Sequence, residues 1–198
     1  MPGITKTSIV NLTLSELGAA LVTNIDTDTG SVATRVRVVW DFALDWALSL
    51  HPWNFAIARQ KNVAATTAPS WGNDYAYALP ANAIRVLSIG KDGDEDDTPW
   101  TVELDAATQT KVLVTNLEAP IDIRYIYRVT NAELYTSTFA IALSKVLKIF
   151  LARPLTGKPE IKMEAEKELA TFLQTAQTQD GLEGTPEFYT PTDLEEVR

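Results

Sequence analysis

The sequence has no cysteine, a single histidine and two methionines in 198 residues. Without cysteine there is no disulfide, no thiolate metal ligand and no thiol nucleophile, which fits a reducing compartment. One histidine confines imidazole chemistry to His51. No apolar run approaches the ~20 residues that a membrane span needs. The N-terminal "MPGITKTSIVNLTLSEL" lacks the uninterrupted apolar core of a secretory signal, so the expectation is a soluble protein, intracellular when made. Basic residues are also scarce: 17 Lys and Arg face 26 Asp and Glu, for a net charge of −9 and a pI near 4.6. No basic run is present, so gripping a duplex by displacing counterions from its phosphates is disfavoured. There is no Walker A segment, no GxGxxG and no GxSxG elbow. Aromatic residues are not interleaved with basic ones, as a platform for single-stranded nucleic acid would require.

What is present is an ordinary globular composition, 45% hydrophobic and 22% charged. Val10, Leu14, Leu17 and Leu21 are spaced for a helix over about 4–21, with Gly18 near its end. After "TNIDTDTGS", Ser31 is a candidate N-cap for a second helix. Val32, Val36, Val39, Trp40, Ala43, Leu44, Ala47 and Leu50 keep the i, i+3, i+4, i+7 pattern there, and Pro52 stops it. From 55 to 130 the period changes to two: Trp100, Val102 and Leu104 alternate with polar residues, as do Ile121, Ile123, Tyr125, Tyr127 and Val129. "AIRVLSI" and "KVLV" are further strand candidates, which makes five or six antiparallel strands. Helical spacing returns at about 131, with Phe139, Leu143, Val146, Leu147, Phe150 and Leu151 in one stripe. "ARPLTGKP" breaks it, and a last helix covers about 159–178.

The expected fold is α+β. Segments 1–52 and 131–180 form a discontinuous four-helix bundle, an antiparallel β module is inserted at 53–130, and 181–198 is an extended C-terminal arm. The arm has two glycines and two prolines, and its "EFYTP" offers Phe188 and Tyr189 as a partner-binding pair.

His51, in "HPWNFAIAR", is the obvious catalytic candidate, because imidazole titrates near neutral pH. It has no nucleophile beside it. Wedged between a helix end and Pro-Trp, it fits better as a cap on the last carbonyls or a buried hydrogen-bonding group. "DGDEDD" at 92–97 alternates Asp92, Asp94 and Asp96, but an EF-hand needs glycine where Asp97 stands, so a solvated hairpin tip fits better. Glu16, Asp26, Asp28, Asp41 and Asp45 could supply a carboxylate pair for glycoside hydrolysis. Asp41 and Asp45 share a helix face, a common arrangement on exposed helices. These readings leave no catalytic residue, no cofactor and no metal site, and point to a binding or assembly role.

"LSELGA", an acidic turn, "LSLHPWNFAIARQ" and "SWGNDYAYALPANAIRVLSI" occur here in that order. This order resembles the tail tubular protein A family of podoviruses, the head-to-tail adaptors or gatekeepers. "HPWNFA" carries most of the likeness, as His51, Pro52, Trp53, Asn54 and Phe55, with Arg59 after it and Tyr75, Tyr77, Leu79, Pro80, Arg85 and Val86 beyond. "LSKVLKIFLARPLTGKPEI" and "AQTQDG" look like the closing helices of such adaptors. The resemblance implies a homo-oligomeric ring of about twelve subunits in the virion, below the portal. Its partners would be the portal protein and a downstream nozzle or tail-tube protein. The ring would line the channel for double-stranded DNA, with no membrane involved. A peptidoglycan-degrading head-completion protein and a tail-completion or decoration protein are the alternatives.

Overall fold

The computed structural model describes residues 3–181. Four helices and seven strands follow in the order α1 (Lys6–Glu16), α2 (Ser31–Leu50), β1 (Ile57–Val63), β2 (Tyr75–Ala78), β3 (Ala83–Lys91), β4 (Asp94–Asp96), β5 (Trp100–Asp105), β6 (Thr110–Thr115), β7 (Ile121–Tyr127), α3 (Ser137–Thr156) and α4 (Pro159–Gly181). Two single-turn 3-10 helices, Asn54–Ala56 and Ala132–Leu134, sit at the junctions between helices and strands.

The helix ends follow local chemistry. Thr5 and Ser8 cap α1 reciprocally through each other's backbone N–H groups. Its other end closes earlier than the spacing predicts. Gly18 adopts φ 64°, and the N–H groups of Gly18 and Ala19 bond back to Ser15 and Leu14, a Schellman closure. Leu21 therefore leaves the apolar stripe and is exposed. The N-cap of α2 is Gly30 and not Ser31, with no side-chain cap bond. Pro154 falls in the last turn of α3, so the helix continues through the predicted break and ends at Gly157, which is left-handed.

The strands form two antiparallel sheets. One has the order β1-β7-β3-β4 and the other β2-β6-β5. They share an apolar core: Tyr77 and Leu113 from the second sheet meet Val63, Val86, Ile89, Ile121, Ile123 and Tyr125 from the first. Period-two patterning places Ile121, Ile123 and Tyr125 on one face of the first sheet, and the irregularity between Val86 and Ser88 brings Val86 and Ile89 to that same face. The opposite face of that sheet meets the helices through Ile126, Ile84 and Leu87. On β5 the alternation does not imply burial: Leu104 is exposed.

The four-helix bundle with an inserted module is not what forms. α1, α2 and α4 each pack chiefly on α3, and α2 also touches β3. The reason lies in α3 itself. Beyond its predicted stripe it buries Ala140, Ala142, Ser144, Lys148, Ile149 and Ala152, so it is covered on most sides. The core around it is continuous with Trp53, Ala56, Ile126 and Val129, so helices and sheet share one interior.

A candidate site at the helix–sheet corner

His51 has extended backbone at φ −150°, as expected for a residue before proline, and this ends α2. The chain then turns through the 3-10 helix into β1, and each residue of the corner acquires a partner. Trp53 is fully buried and donates its indole N–H to the Ala47 carbonyl at 3.0 Å. Its ring meets Phe139 edge-on at 5.3 Å, and Phe139 in turn meets Phe55 and Tyr135, each at 4.9 Å. Edge-to-face pairs of this kind contribute about 0.5–1.5 kcal/mol beyond the area they bury. Tyr135 donates its hydroxyl to the Val129 carbonyl at 2.9 Å, and burial pushes its pKa up to about 12. Trp53 and Phe55 thus form an aromatic plug between the helices and the first sheet.

The His51 side chain serves as a hydrogen-bonding group and is not directed to the last carbonyls of α2. Its Nε2 lies 3.0 Å from Oδ2 of Asp180, one residue before the end of α4. The same buried carboxylate accepts from the Asn54 backbone N–H at 3.2 Å, and the Asn54 side chain donates to the Asp180 carbonyl at 2.7 Å. The corner is therefore clasped to the last turn of α4, with the imidazole and the carboxylate facing each other. Beside the clasp lies an open cleft of about 290 Å³, lined by Pro52, Ile57, Leu87, Arg124 and Gln177 as well as the clasp residues. Among the described residues the cleft lining contains no serine, threonine or tyrosine and no carboxylate besides Asp180.

The other candidate groups are also committed. Asp41 and Asp45 both bind Arg128, at the exit of β7, with Arg128 Nη2 2.8 Å from Asp41. These bonds, to Asp41 first, hold the guanidinium pKa above its usual value. The carboxylates therefore tie α2 to the sheet and do not face each other across a cleft. Glu16 belongs to a second network, where Lys148 lies 3.1 Å from it and 3.0 Å from Glu168, joining α1, α3 and α4. Burial alone would lower the Lys148 pKa, but the two carboxylates outweigh it and raise it. Burial raises the Glu168 pKa, and its bonds to Lys148 and Lys145 outweigh that and lower it. Asp26 pairs with Lys6 at 2.7 Å, and Asp28 accepts from the Gly30 N–H at 2.8 Å.

The 92–97 segment forms the β3–β4 hairpin. Asp92 and Gly93 both take positive φ, the requirement of a tight two-residue turn and the reason for Asp-Gly there. Gly90 admits no side chain, because a Cβ would stand 2.1 Å from the Asp94 carbonyl oxygen. Asp96 accepts from the Thr98 N–H at 2.7 Å, and Glu95 from the Ser88 hydroxyl at 2.9 Å. Among the described residues no group of three or more His, Asp or Glu could hold a metal ion. No helix among them is long and apolar enough to cross a membrane.

Sequence reasoning missed Asp180 and Arg128. Both look like ordinary surface charges in a linear reading, and only their partners, far away in the chain, give them a role. Phe188 and Tyr189 lie outside the described residues. No protein-family profile matches the chain, and no curated protein matches it either.

Proposed function

We propose that this protein is a non-enzymatic virion component, a head-to-tail adaptor whose ring joins the portal to the downstream tail protein and surrounds the DNA channel. The observation that carries this reading is the use made of "HPWNF". His51, Trp53, Asn54 and Phe55 all hold the corner between α2, α4 and β1 together, and Pro52 ends the helix. This use favours a fold signature over a reaction centre for the segment by which the chain resembles the adaptors. The pairing of Asp41 and Asp45 with Arg128 favours the same reading, since it commits both carboxylates to one cation joining α2 to the sheet.

The charge balance fits a channel wall. A net charge of −9 repels phosphates and lets a duplex pass without adhering. The ring would form around the portal's narrow end, from copies of a chain made in the host cytoplasm. Electron microscopy of the purified protein mixed with portal tests this. A ring seated on the portal's narrow end is the expected result, and binding elsewhere on the particle would replace the adaptor by a decoration protein. A clearing band in a peptidoglycan zymogram, abolished by changing one carboxylate, would replace it by a hydrolase.

A further inference from the structure

Among the described residues the two sheets end in four edge strands, β1, β4, β2 and β5, and three of these edges are guarded. β4 is only three residues long, and all three are carboxylates. β1 carries the exposed cations Arg59 and Lys61, and its register with β7 shifts between Gln60 and Val63. β2 is bridged by Ala65 opposite Tyr77, and the Ala76 carbonyl accepts from the Thr66 N–H at 2.7 Å. Short length, charge, irregular register and a covering loop are the usual means by which an edge is kept from pairing. β5 is different. It runs in unbroken register with β6 from Trp100 to Asp105, and it holds no proline and no lysine. Glu103 is the one charge inside its span, since Asp105 at its end is held by the Ala107 N–H and the Thr108 hydroxyl. Among the described residues no backbone group pairs with its far side.

Alternate residues of an antiparallel strand aim their N–H and C=O groups away from the neighbour, so this edge is a row of free donors and acceptors. Its side chains are open as well: Thr101, Val102, Glu103 and Leu104 are exposed, Leu104 by 61%. Period two puts Trp100, Val102 and Leu104 on one face and Thr101 and Glu103 on the other. What completes such an edge is an extended strand, and the sequence of β5 is complementary to itself. In an antiparallel pair related by a twofold axis, one residue stands opposite its own copy. Centred on Glu103, two carboxylates would face each other, which is unfavourable. Centred on Val102, valine meets valine, Trp100 meets Leu104 of the second copy, and Thr101 meets Glu103. Trp100 is already half-buried against the core between the sheets, which fixes one side of the ring that would cover Leu104.

We propose that β5 is a self-pairing edge. Two copies of the chain join their second sheets through antiparallel β5 strands centred on Val102, which makes one continuous sheet across the twofold axis. A single strand pair is a small interface, so the association is of the weak, concentration-dependent class. Each copy carries a net charge of −9, and salt that screens this repulsion favours the pair. The pairing is a property of the free chain and stands apart from the adaptor reading, so either can fail without the other.

The full-length chain is followed from low micromolar concentration to about 1 mM, in ~0.3 M salt, by sedimentation and amide NMR. The expected result is a rise in mass from 21.8 kDa toward twice that value. Amide signals of Trp100–Asp105 should shift with concentration, and those of β1, β2 and β4 should not. Val102→Lys sets two lysines face to face in the pair, so the dissociation constant should rise on the order of tenfold or more. Thr101→Lys sets a lysine opposite Glu103 twice in each dimer and should tighten association several-fold. Both positions are exposed in the single chain, and both changes add one positive charge, so a general charge effect would move the two variants the same way. The proposal is overturned if the mass stays at 21.8 kDa at every concentration, or if the amides that shift lie outside β5. It is also overturned if the two variants do not change association in opposite directions.

Discussion

The helix–sheet corner and the β3–β4 hairpin are both built from polar residues around a tight turn, but their partners come from different distances. In the corner, Asp180 meets His51 and Asn54 across 129 and 126 positions of sequence. In the hairpin, Glu95 meets Ser88 across seven. The corner is the more buried, with Trp53 fully buried and Asp180 only 7% exposed, whereas the Glu95 side chain is 66% exposed. Water reaches the hairpin's bonds far more readily than the bond of Trp53 or the carboxylate of Asp180. Equal counts of hydrogen bonds therefore carry unequal energies, and the difference comes from burial.

Four substitutions and titrations can break or sharpen this contrast. The largest effect belongs to Trp53→Ala, which removes the indole, its bond to Ala47 and the contact with Phe139. Its cost is about 3–5 kcal/mol, read by chemical denaturation. A near-native midpoint would end the idea that the corner organises the interior. Next comes Asp180→Ala, which leaves the Asn54 N–H without an acceptor and costs about 1–3 kcal/mol. Asp180→Asn keeps an acceptor oxygen, so its loss should be clearly smaller. Equal losses would show that charge, not the bond, matters.

A third effect is pH-dependent. The Glu168 pKa is lower in the folded chain than the ordinary 4.5, so its stabilising contribution is complete above that value. It is lost as pH falls through the lowered folded value. Melting temperatures followed into acid should drop less steeply for Glu168→Gln than for the native chain, and parallel curves would remove Glu168 from the account. The smallest effect is that of Glu95→Ala, within about 0.5 kcal/mol, because its own carboxylate is open to water. A loss rivalling that of Asp180→Ala would erase the distinction between the two regions.

How legible these regions were depends on where their partners lie. The period-two run Ile121, Ile123, Tyr125 and the helical run from Val32 to Leu50 report burial directly, and the α+β class follows from them. Pro52, Trp53 and Phe55 announce a corner by residue type alone. Asp180 does not, because nothing in "TQDG" marks a carboxylate that will be buried. The arrangement of the helices was hidden for a related reason. The second face of α3 is built from Ala140, Ala142, Ser144 and Ala152, small residues that pack closely but give little hydrophobic signal. A stripe read from large residues made α3 one member of a bundle, where it is the axis that the other helices share.

That axis has a consequence for how the chain is made. Synthesis delivers α1 and α2 first, yet their apolar faces are completed by a helix that starts at Ser137. Residues 51–136 must emerge before either face can be covered. The nascent chain thus carries Val36, Trp40 and Leu44 uncovered through the whole production of the β strands, a window open to chaperones and to premature association.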